Sequence, residues 1–116
     1  MQLVNIYCGL DTNGRDVDAH KLAHDLAAKY FPQGHTVVNA NGRWTGEVGV
    51  IDEPTLIVQV LFSEQDYATN VSHGAVSSFA GDYKQQANQE SVLVTWQQIQ
   101  AAFVWFKPCY LAWYSV

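Results

Sequence analysis

The chain has 116 residues, 48% of them hydrophobic, and a formal net charge of −5. This length and apolar content fit one globular domain and exclude a disordered chain. The six Lys and Arg residues are scattered singly, which excludes a broad nucleic-acid groove, and no apolar run reaches the ~20 residues of a membrane span.

The first predicted strand is a short apolar run from Leu3 to Gly9, which a turn-rich segment ends. No basic region or cleavage site precedes it, so we expect no signal peptide and a cytoplasmic protein. Apolar residues then recur at three- and four-residue spacing up to Tyr30, as in a helix with one buried stripe. Asp16 is the expected N-cap of this helix.

The next two predicted strands form an antiparallel hairpin. From Thr36 to Trp44 the sequence alternates, with Asn39, Asn41 and Arg43 on one face and Trp44 on the other. The nearly continuous apolar run from Leu56 to Phe62 is typical of a central strand. We expect the intervening segment, Gly46 to Glu53, to be a long loop.

A second helix is predicted after Asn70 or Ser72, either of which can cap it, and a fourth strand from Ser91 to Trp96. The order is β-α-β-β-α-β, that of an α+β ferredoxin-like sandwich. We therefore expect residues 1–96 to form an antiparallel four-stranded sheet with two helices on one face. The opposite face is left open.

Residues 97–116 form an aromatic C-terminal extension that includes Trp105 and Trp113. A solvated tail of this composition would expose an unusually large apolar surface. We expect the extension to pack on the domain or on a partner subunit. The same surface leads us to expect a homo-oligomer, most simply a dimer.

A polar group on the sheet is the main candidate binding site. If the register is right, Asn39, Asn41, Arg43 and Gln59 project together away from the helices, beside Trp and Tyr residues. The aromatic members of the candidate site are Trp44, Trp105 and Trp113. Such groups could bind a small polar ligand or the backbone of a partner. The alternative is a solvated sheet face.

Two histidines on the first predicted helix are the candidate metal ligands. Asp16, His20 and His24 are spaced four residues apart, which stacks them along one side of a helix. Two such histidines and a carboxylate could share a divalent metal. A polar helix face is the simpler interpretation, so no metal or other cofactor is predicted.

Other reactive residues give weaker signals. Asp52 and Glu53 are adjacent, so in an extended segment they point apart and do not form an acid–base pair. Cys8 and Cys109 match no zinc or redox spacing, and we expect reduced, packed thiols.

The chain resembles short, mostly uncharacterised ferredoxin-like proteins of bacteria, phages and mobile elements. The resemblance rests on the Thr36-Val37 strand that runs to Gly42-Arg43-Trp44-Thr45-Gly46, and on Gln89-Glu90-Ser91-Val92-Leu93-Val94 before and within the last strand. It implies the fold and carries no catalytic signature.

Three functions fit these observations. The sequence favours a non-catalytic interaction protein, a phage or mobile-element accessory that inhibits a host defence system by binding a host protein. The first alternative is a protein that sequesters a signalling nucleotide through Asn39, Asn41 and Arg43. The second is a small metal-dependent enzyme that uses Asp16, His20 and His24.

Overall fold

The structure, a computed structural model, describes residues 1–104 and 111–114, the latter as backbone alone. Its elements in chain order are β1 (Gln2–Gly9), α1 (Ala19–Tyr30), β2 (Thr36–Gly46), β3 (Gly49–Phe62), α2 (Glu64–Ala68), α3 (Val71–Gln86), β4 (Leu93–Gln98), β5 (Ala101–Val104) and β6 (Leu111–Tyr114). The predicted β-α-β-β-α-β order is confirmed, with the short α2 inserted before α3. None of the described helices is long and apolar enough to cross a lipid bilayer.

Strands β1 to β4 form one antiparallel sheet in the order β2-β3-β1-β4. The first and third strands therefore lie at the centre, and the second and fourth lie at the edges. This arrangement confirms the predicted ferredoxin-like sandwich.

Alternation along the central strands gives the sheet a buried face and an open face. The buried face carries even-numbered residues that are at most 4% exposed: Val4, Ile6, Cys8, Leu56, Val58 and Val60. Leu26 of α1 and Phe79 and Tyr83 of α3 pack in the same core. On the opposite face, Leu61 and Leu93 are 44% and 45% exposed. The prediction that both helices cover one side is confirmed.

Helix α1 begins later than predicted. Its N-cap is Asp18, whose carboxylate accepts a hydrogen bond from the Lys21 amide at 3.0 Å. Asp16 lies outside the helix. Both aspartates are competent caps by residue type, and the one that accepts from the amide three residues on decides the start.

The β2–β3 hairpin is longer and its turn tighter than predicted. Gly46 pairs with Gly49, so only Glu47 and Val48 form the tip. The expected loop from Gly46 to Glu53 is wrong, because most of that segment belongs to β3. Gly49 has a φ of +111°, which suits the reversal, and the β-branched residues that follow it favour an extended chain.

Strand β4 continues to Gln98, two residues beyond the predicted boundary at residue 96. Strands β5 and β6 then pair as an antiparallel hairpin. Trp105 and the side chain of Trp113 lie outside the described residues, so the packing expected for the aromatic extension stays a prediction. The division into residues 1–96 and 97–116 stays one as well.

Candidate functional site

A cleft of about 400 Å³ lies at one end of the open face, where β1 ends and the β2–β3 hairpin passes beside it. The side chains that reach it from the sheet belong to Tyr7, Trp44, Ile51, Glu53 and Leu93. The register explains their convergence: Gly42 pairs with Glu53, Trp44 with Ile51, and Tyr7 with Leu93. Each pair points to the same side of an antiparallel sheet.

Glu53 is the half-buried carboxylate of this cleft. Its Oε2 accepts a hydrogen bond from the Asp11 backbone amide at 3.0 Å. Burial raises the pKa of the Glu53 carboxyl above its ordinary value, and the charge of Asp11 adds to this effect. Hydrogen bonds from the Asp11 amide and the Trp44 side chain oppose it but do not cancel it. A carboxyl group that is fixed by hydrogen bonds and has a raised pKa is suited to binding a cation or exchanging a proton.

Two glycines, Gly9 and Gly42, form the floor of the cleft and leave room above it for the Glu53 carboxylate and the Trp44 indole. A β-carbon at Gly9 would stand 2.6 Å from both carboxylate oxygens of Glu53. A β-carbon at Gly42 would stand 2.9 Å from Nε1 of Trp44. The carboxylate and the indole therefore lie directly on bare backbone, which only glycine provides.

The loop that supplies the Asp11 amide is tied to the segment that follows α3. Gln89 Nε2 donates to the Asp11 carbonyl at 2.6 Å. Asn88 Nδ2 donates to the Thr12 carbonyl at 3.2 Å, and Asn13 Nδ2 donates to the Asn88 carbonyl at 2.9 Å. These bonds fix the backbone beside Glu53.

Beneath the floor, the Tyr83 hydroxyl donates a hydrogen bond to the Gly9 carbonyl. Burial raises the pKa of Tyr83 above its ordinary value, and the Cys8 and Glu53 charges add to this. Burial also raises the pKa of the Cys8 thiol to about 12. Cys8 is therefore a thiol at neutral pH and not a nucleophile.

The ionisable groups around the cleft are acidic. Among the residues that the structure describes, its lining contains the carboxylates of Asp11, Glu47, Glu53 and Glu90 and no Lys, Arg or His. The negative charges of these carboxylates repel a phosphate from the cleft and attract a cation. Trp44, which is 37% exposed, adds an aromatic surface at the same place.

The predicted polar group is only partly brought together. Asn39 pairs with Leu56 of the buried face, so Asn39, Asn41 and Arg43 point to the helix side, whereas Gln59 pairs with Thr36 and Asn5 on the open face. The assignment of all four to one open face was wrong, because one residue of register reverses every side chain. Gln59 instead donates to Asn5 at 2.9 Å.

Asn41 and Arg43 border a shallow depression with Asp52 and Pro54 on the helix side. The Arg43 guanidinium is already paired there with the Asp52 carboxylate at 2.7 Å. Of the predicted binding residues whose side chains the structure describes, Trp44 is the one that lies in the Glu53 cleft; Trp105 and the side chain of Trp113 lie outside them.

The predicted metal group loses its carboxylate. Asp16 precedes α1, so it does not stack with His20 and His24 as predicted. Within the part of the chain that the structure describes, no three His, Cys, Asp or Glu residues are grouped as metal ligands. The two histidine rings do lie together, with centroids 4.8 Å apart.

Sequence reasoning missed Glu53, Gly9, Asp11 and Gln89. The sequence predicts only that Asp52 and Glu53 point apart, and they do, since they pair with Arg43 and Gly42 on opposite faces of the sheet. The sequence signal that could have identified Glu53 is its position two residues before Thr55. In the extended β3 the two residues lie on the same face, and Thr55 is 2% exposed.

The fold occurs in solved structures of an enzyme. Among curated proteins, none matches this chain. A structure of a phage SAM lyase in complex with S-methyl-5′-thioadenosine is 19% identical, with a TM-score of 0.62, over 84% of this chain and 80% of that one. A phage SAM lyase in the apo state is 20% identical, with a TM-score of 0.60, over 83% and 78%. At such identity the likeness shows the fold alone.

These structures correct one expectation. The chain was expected not to be an enzyme, and that expectation is wrong, because the solved structures that share its fold are those of an enzyme. The resemblance to uncharacterised phage proteins is supported by the phage structures and by a family profile that matches residues 5–103. The chain belongs to the family described as protein of unknown function (DUF3574).

Proposed function

We propose that this protein is an enzyme that binds S-adenosylmethionine (SAM), or a closely related sulfonium nucleoside, in the Glu53 cleft and breaks a carbon–sulfur bond of that ligand. The observation that carries the proposal is the half-buried Glu53 carboxylate in a cleft whose charged lining residues, within the part of the chain that the structure describes, are all acidic. The lyase activity is taken from the phage enzymes that share the fold.

The charge of the cleft selects the ligand class. SAM carries a positive sulfonium and a positive ammonium group, and both are attracted by Asp11, Glu53 and Glu90. A signalling nucleotide carries phosphates, which would need cationic side chains, and the described lining residues include none. The acidic lining therefore favours the sulfonium ligand over the nucleotide expected as an alternative.

The remaining lining residues suit the nucleoside part. The exposed face of Trp44 offers a stacking surface for a planar base. Asp11 and Asn13, at the rim, offer acceptors and donors for ribose hydroxyls. In this assignment Glu53 binds the cationic end of the ligand and orients it.

In the proposed reaction, the electron pair of the broken bond passes to sulfur, which leaves as a neutral thioether. As the carbon–sulfur bond breaks, the carbon fragment either loses a proton to solvent and forms a carbon–carbon double bond, or forms a carbon–oxygen bond to its own carboxylate and closes a ring. Product identification distinguishes these two outcomes.

The test is incubation of the purified protein with SAM, followed by chromatography for S-methyl-5′-thioadenosine, together with calorimetric titration. We expect product formation, and an at least tenfold weaker affinity for SAM in Glu53→Gln, since a charge-assisted contact is worth more than about 1.4 kcal/mol. Asp52→Asn is the matched control, because the neighbouring carboxylate points to the opposite face and pairs with Arg43.

Failure has a clear form. A protein that neither binds SAM nor releases the thioether contradicts the proposal, as does a Glu53→Gln variant that binds SAM like the wild type. S-adenosylhomocysteine, a neutral thioether with the same nucleoside, should bind more weakly than SAM.

A homodimer remains a second proposal, and the exposed apolar side chains of the open face support it. Leu61 and Leu93 are 44% and 45% exposed, and Val38 on the same face is 39% exposed. Covering these side chains with a second copy would remove them from water. Light scattering of wild type and Leu61→Asp tests this, with a smaller mass for the variant as the expected result.

Inhibition of a host defence system also remains a proposal. Its support is the phage origin of the structures that share the fold. Expression in a bacterial host, with wild type compared with Glu53→Gln, tests whether any protection of an infecting phage depends on the cleft.

A further inference from the structure

The exposed side of α1 carries two histidines that the Glu53 cleft does not use. His20 and His24 are four residues apart on the helix, so their side chains lie one above the other. Their ring centroids are 4.8 Å apart, with an interplanar angle of 40°. Both residues are exposed.

Neither imidazole is engaged elsewhere. Within the described residues, His20 and His24 have no hydrogen bond and no ion pair, and their one recorded contact is with each other. His35, by comparison, has its Nδ1 at 3.1 Å from the Phe31 carbonyl, and His73 is stacked on Trp96 with centroids 4.3 Å apart. The pair on α1 therefore offers two imidazoles with available ring nitrogens one helical turn apart.

The charges beside the pair do not obstruct it. Lys21 and Asp25, its charged neighbours on α1, form an ion pair with each other at 2.6 Å. The Asp18 carboxylate caps the helix by accepting from the Lys21 amide. The Lys21 ammonium is thus compensated, and the carboxylates of Asp18 and Asp25 already have partners.

We propose that His20 and His24 form a binding site for one borderline divalent cation, Zn²⁺, Ni²⁺ or Cu²⁺. Neutral imidazole nitrogens are good ligands for these ions, and two of them one helical turn apart chelate a single ion. Hard cations such as Mg²⁺ and Ca²⁺ prefer oxygen ligands and do not bind there.

The site offers two protein ligands. Since the described residues contain no third His, Cys, Asp or Glu grouped with the pair, the other coordination positions are open to water or to a donor from another molecule. Open positions distinguish it from a structural zinc site, whose four ligands come from the protein. The proposal is independent of the function assigned to the cleft.

The test is a calorimetric titration of the full-length, tag-free protein with Ni²⁺ alone. We expect one ion bound per chain, and an at least tenfold loss of affinity in His20→Ala and equally in His24→Ala, because either substitution abolishes chelation. Both positions are exposed on a helix, where alanine is well tolerated, so the variants should fold, which circular dichroism checks. His35→Ala is the control and should bind as the wild type does.

Two results would overturn the proposal. One is an unchanged affinity for Ni²⁺ in His20→Ala or His24→Ala. The other is an equal loss in His35→Ala, which would place the ion elsewhere. A paramagnetic readout with Cu²⁺ gives a second check, since selective broadening of the His20 and His24 ring signals is expected and broadening confined to other histidines contradicts it.

Discussion

Gly9 of β1 and Glu53 of β3 lie close together on neighbouring strands: both carboxylate oxygens of Glu53 lie 2.6 Å from the point where a β-carbon of residue 9 would stand. The carboxylate therefore rests where any other residue would place its side chain. Gln89 Oε1 lies 2.7 Å from the same point. The position of Glu53 depends on the absence of a side chain at position 9.

The first prediction concerns Gly9→Ala. The added methyl group displaces the ends of Glu53 and Gln89, which are flexible, so we expect a loss of about 1 to 2 kcal/mol of stability together with loss of SAM binding. Urea unfolding and calorimetry measure the two effects. Gly81→Ala, on an exposed site of α3 with nothing within 4 Å, is the control and should stabilise by about 0.5 to 1 kcal/mol. Unaltered SAM binding in Gly9→Ala would contradict the prediction.

The second prediction concerns the pH dependence of stability. The pKa of Glu53 is raised in the folded state, chiefly by burial, so the folded chain holds this proton more tightly than the unfolded chain does. Its contribution to stability is complete below the unfolded glutamate pKa of about 4.3 and declines as pH rises through the folded value.

We therefore expect Glu53→Gln to be at least as stable as the wild type at pH 7. The variant should also lack the loss of stability that the wild type shows as pH rises from the unfolded to the folded pKa of Glu53. Denaturation midpoints between pH 4 and pH 8, measured alongside Asp52→Asn, check this. The prediction is contradicted if the stability of Glu53→Gln relative to that of the wild type is lower at pH 7 than at pH 4.

The third prediction concerns Tyr83→Phe. The substitution removes the hydroxyl that donates to the Gly9 carbonyl and leaves that carbonyl without this buried donor. The expected loss is about 1 to 2 kcal/mol in urea unfolding. Tyr67→Phe is the control, because within the described residues the Tyr67 hydroxyl has no hydrogen-bond partner, and it should change stability by less than about 0.5 kcal/mol. Equal effects of the two substitutions would argue against the role given to Tyr83.

The fourth prediction concerns the reactivity of Cys8. Burial raises its thiol pKa to about 12, so the reactive thiolate is scarce at neutral pH and the sulfur is inaccessible. In a Cys109→Ser background, where Cys8 is the remaining cysteine, a thiol reagent should react only after denaturation. Rapid labelling of the native protein at pH 7.5 is incompatible with the buried position.

The sequence predicts the layer structure because periodicity reports burial directly. The even-numbered residues from Val4 to Cys8 and from Leu56 to Phe62 are apolar and buried, so the face of the central strands that meets the helices follows from the pattern. In the edge strand β2 the more apolar face, with Val38, Ala40 and Trp44, lies on the open side of the sheet, so its pattern does not say which face meets the helices. Asn39 was placed on the wrong side for this reason, since only its pairing with Leu56 decides the matter.

The cleft could not be predicted in the same way because its contacts are distant in sequence. Glu53 meets the Asp11 amide 42 residues away, and Gln89 meets the Asp11 carbonyl 78 residues away. No local pattern records such pairings. In the sequence, Gly9 indicates only the end of a strand. That its backbone forms the floor of the cleft depends on the position of the β2–β3 hairpin beside it.

The ties between the loop after β1 and the segment after α3 have a consequence for folding. They join the first strand to residues 85–89, so the cleft is complete only when almost the whole described chain is in place. A fragment that ends before residue 85 cannot assemble it. A ligand of the cleft therefore binds the folded chain and not the unfolded one. The free energy of unfolding should rise with the ligand concentration, so that unfolding needs more heat or more urea.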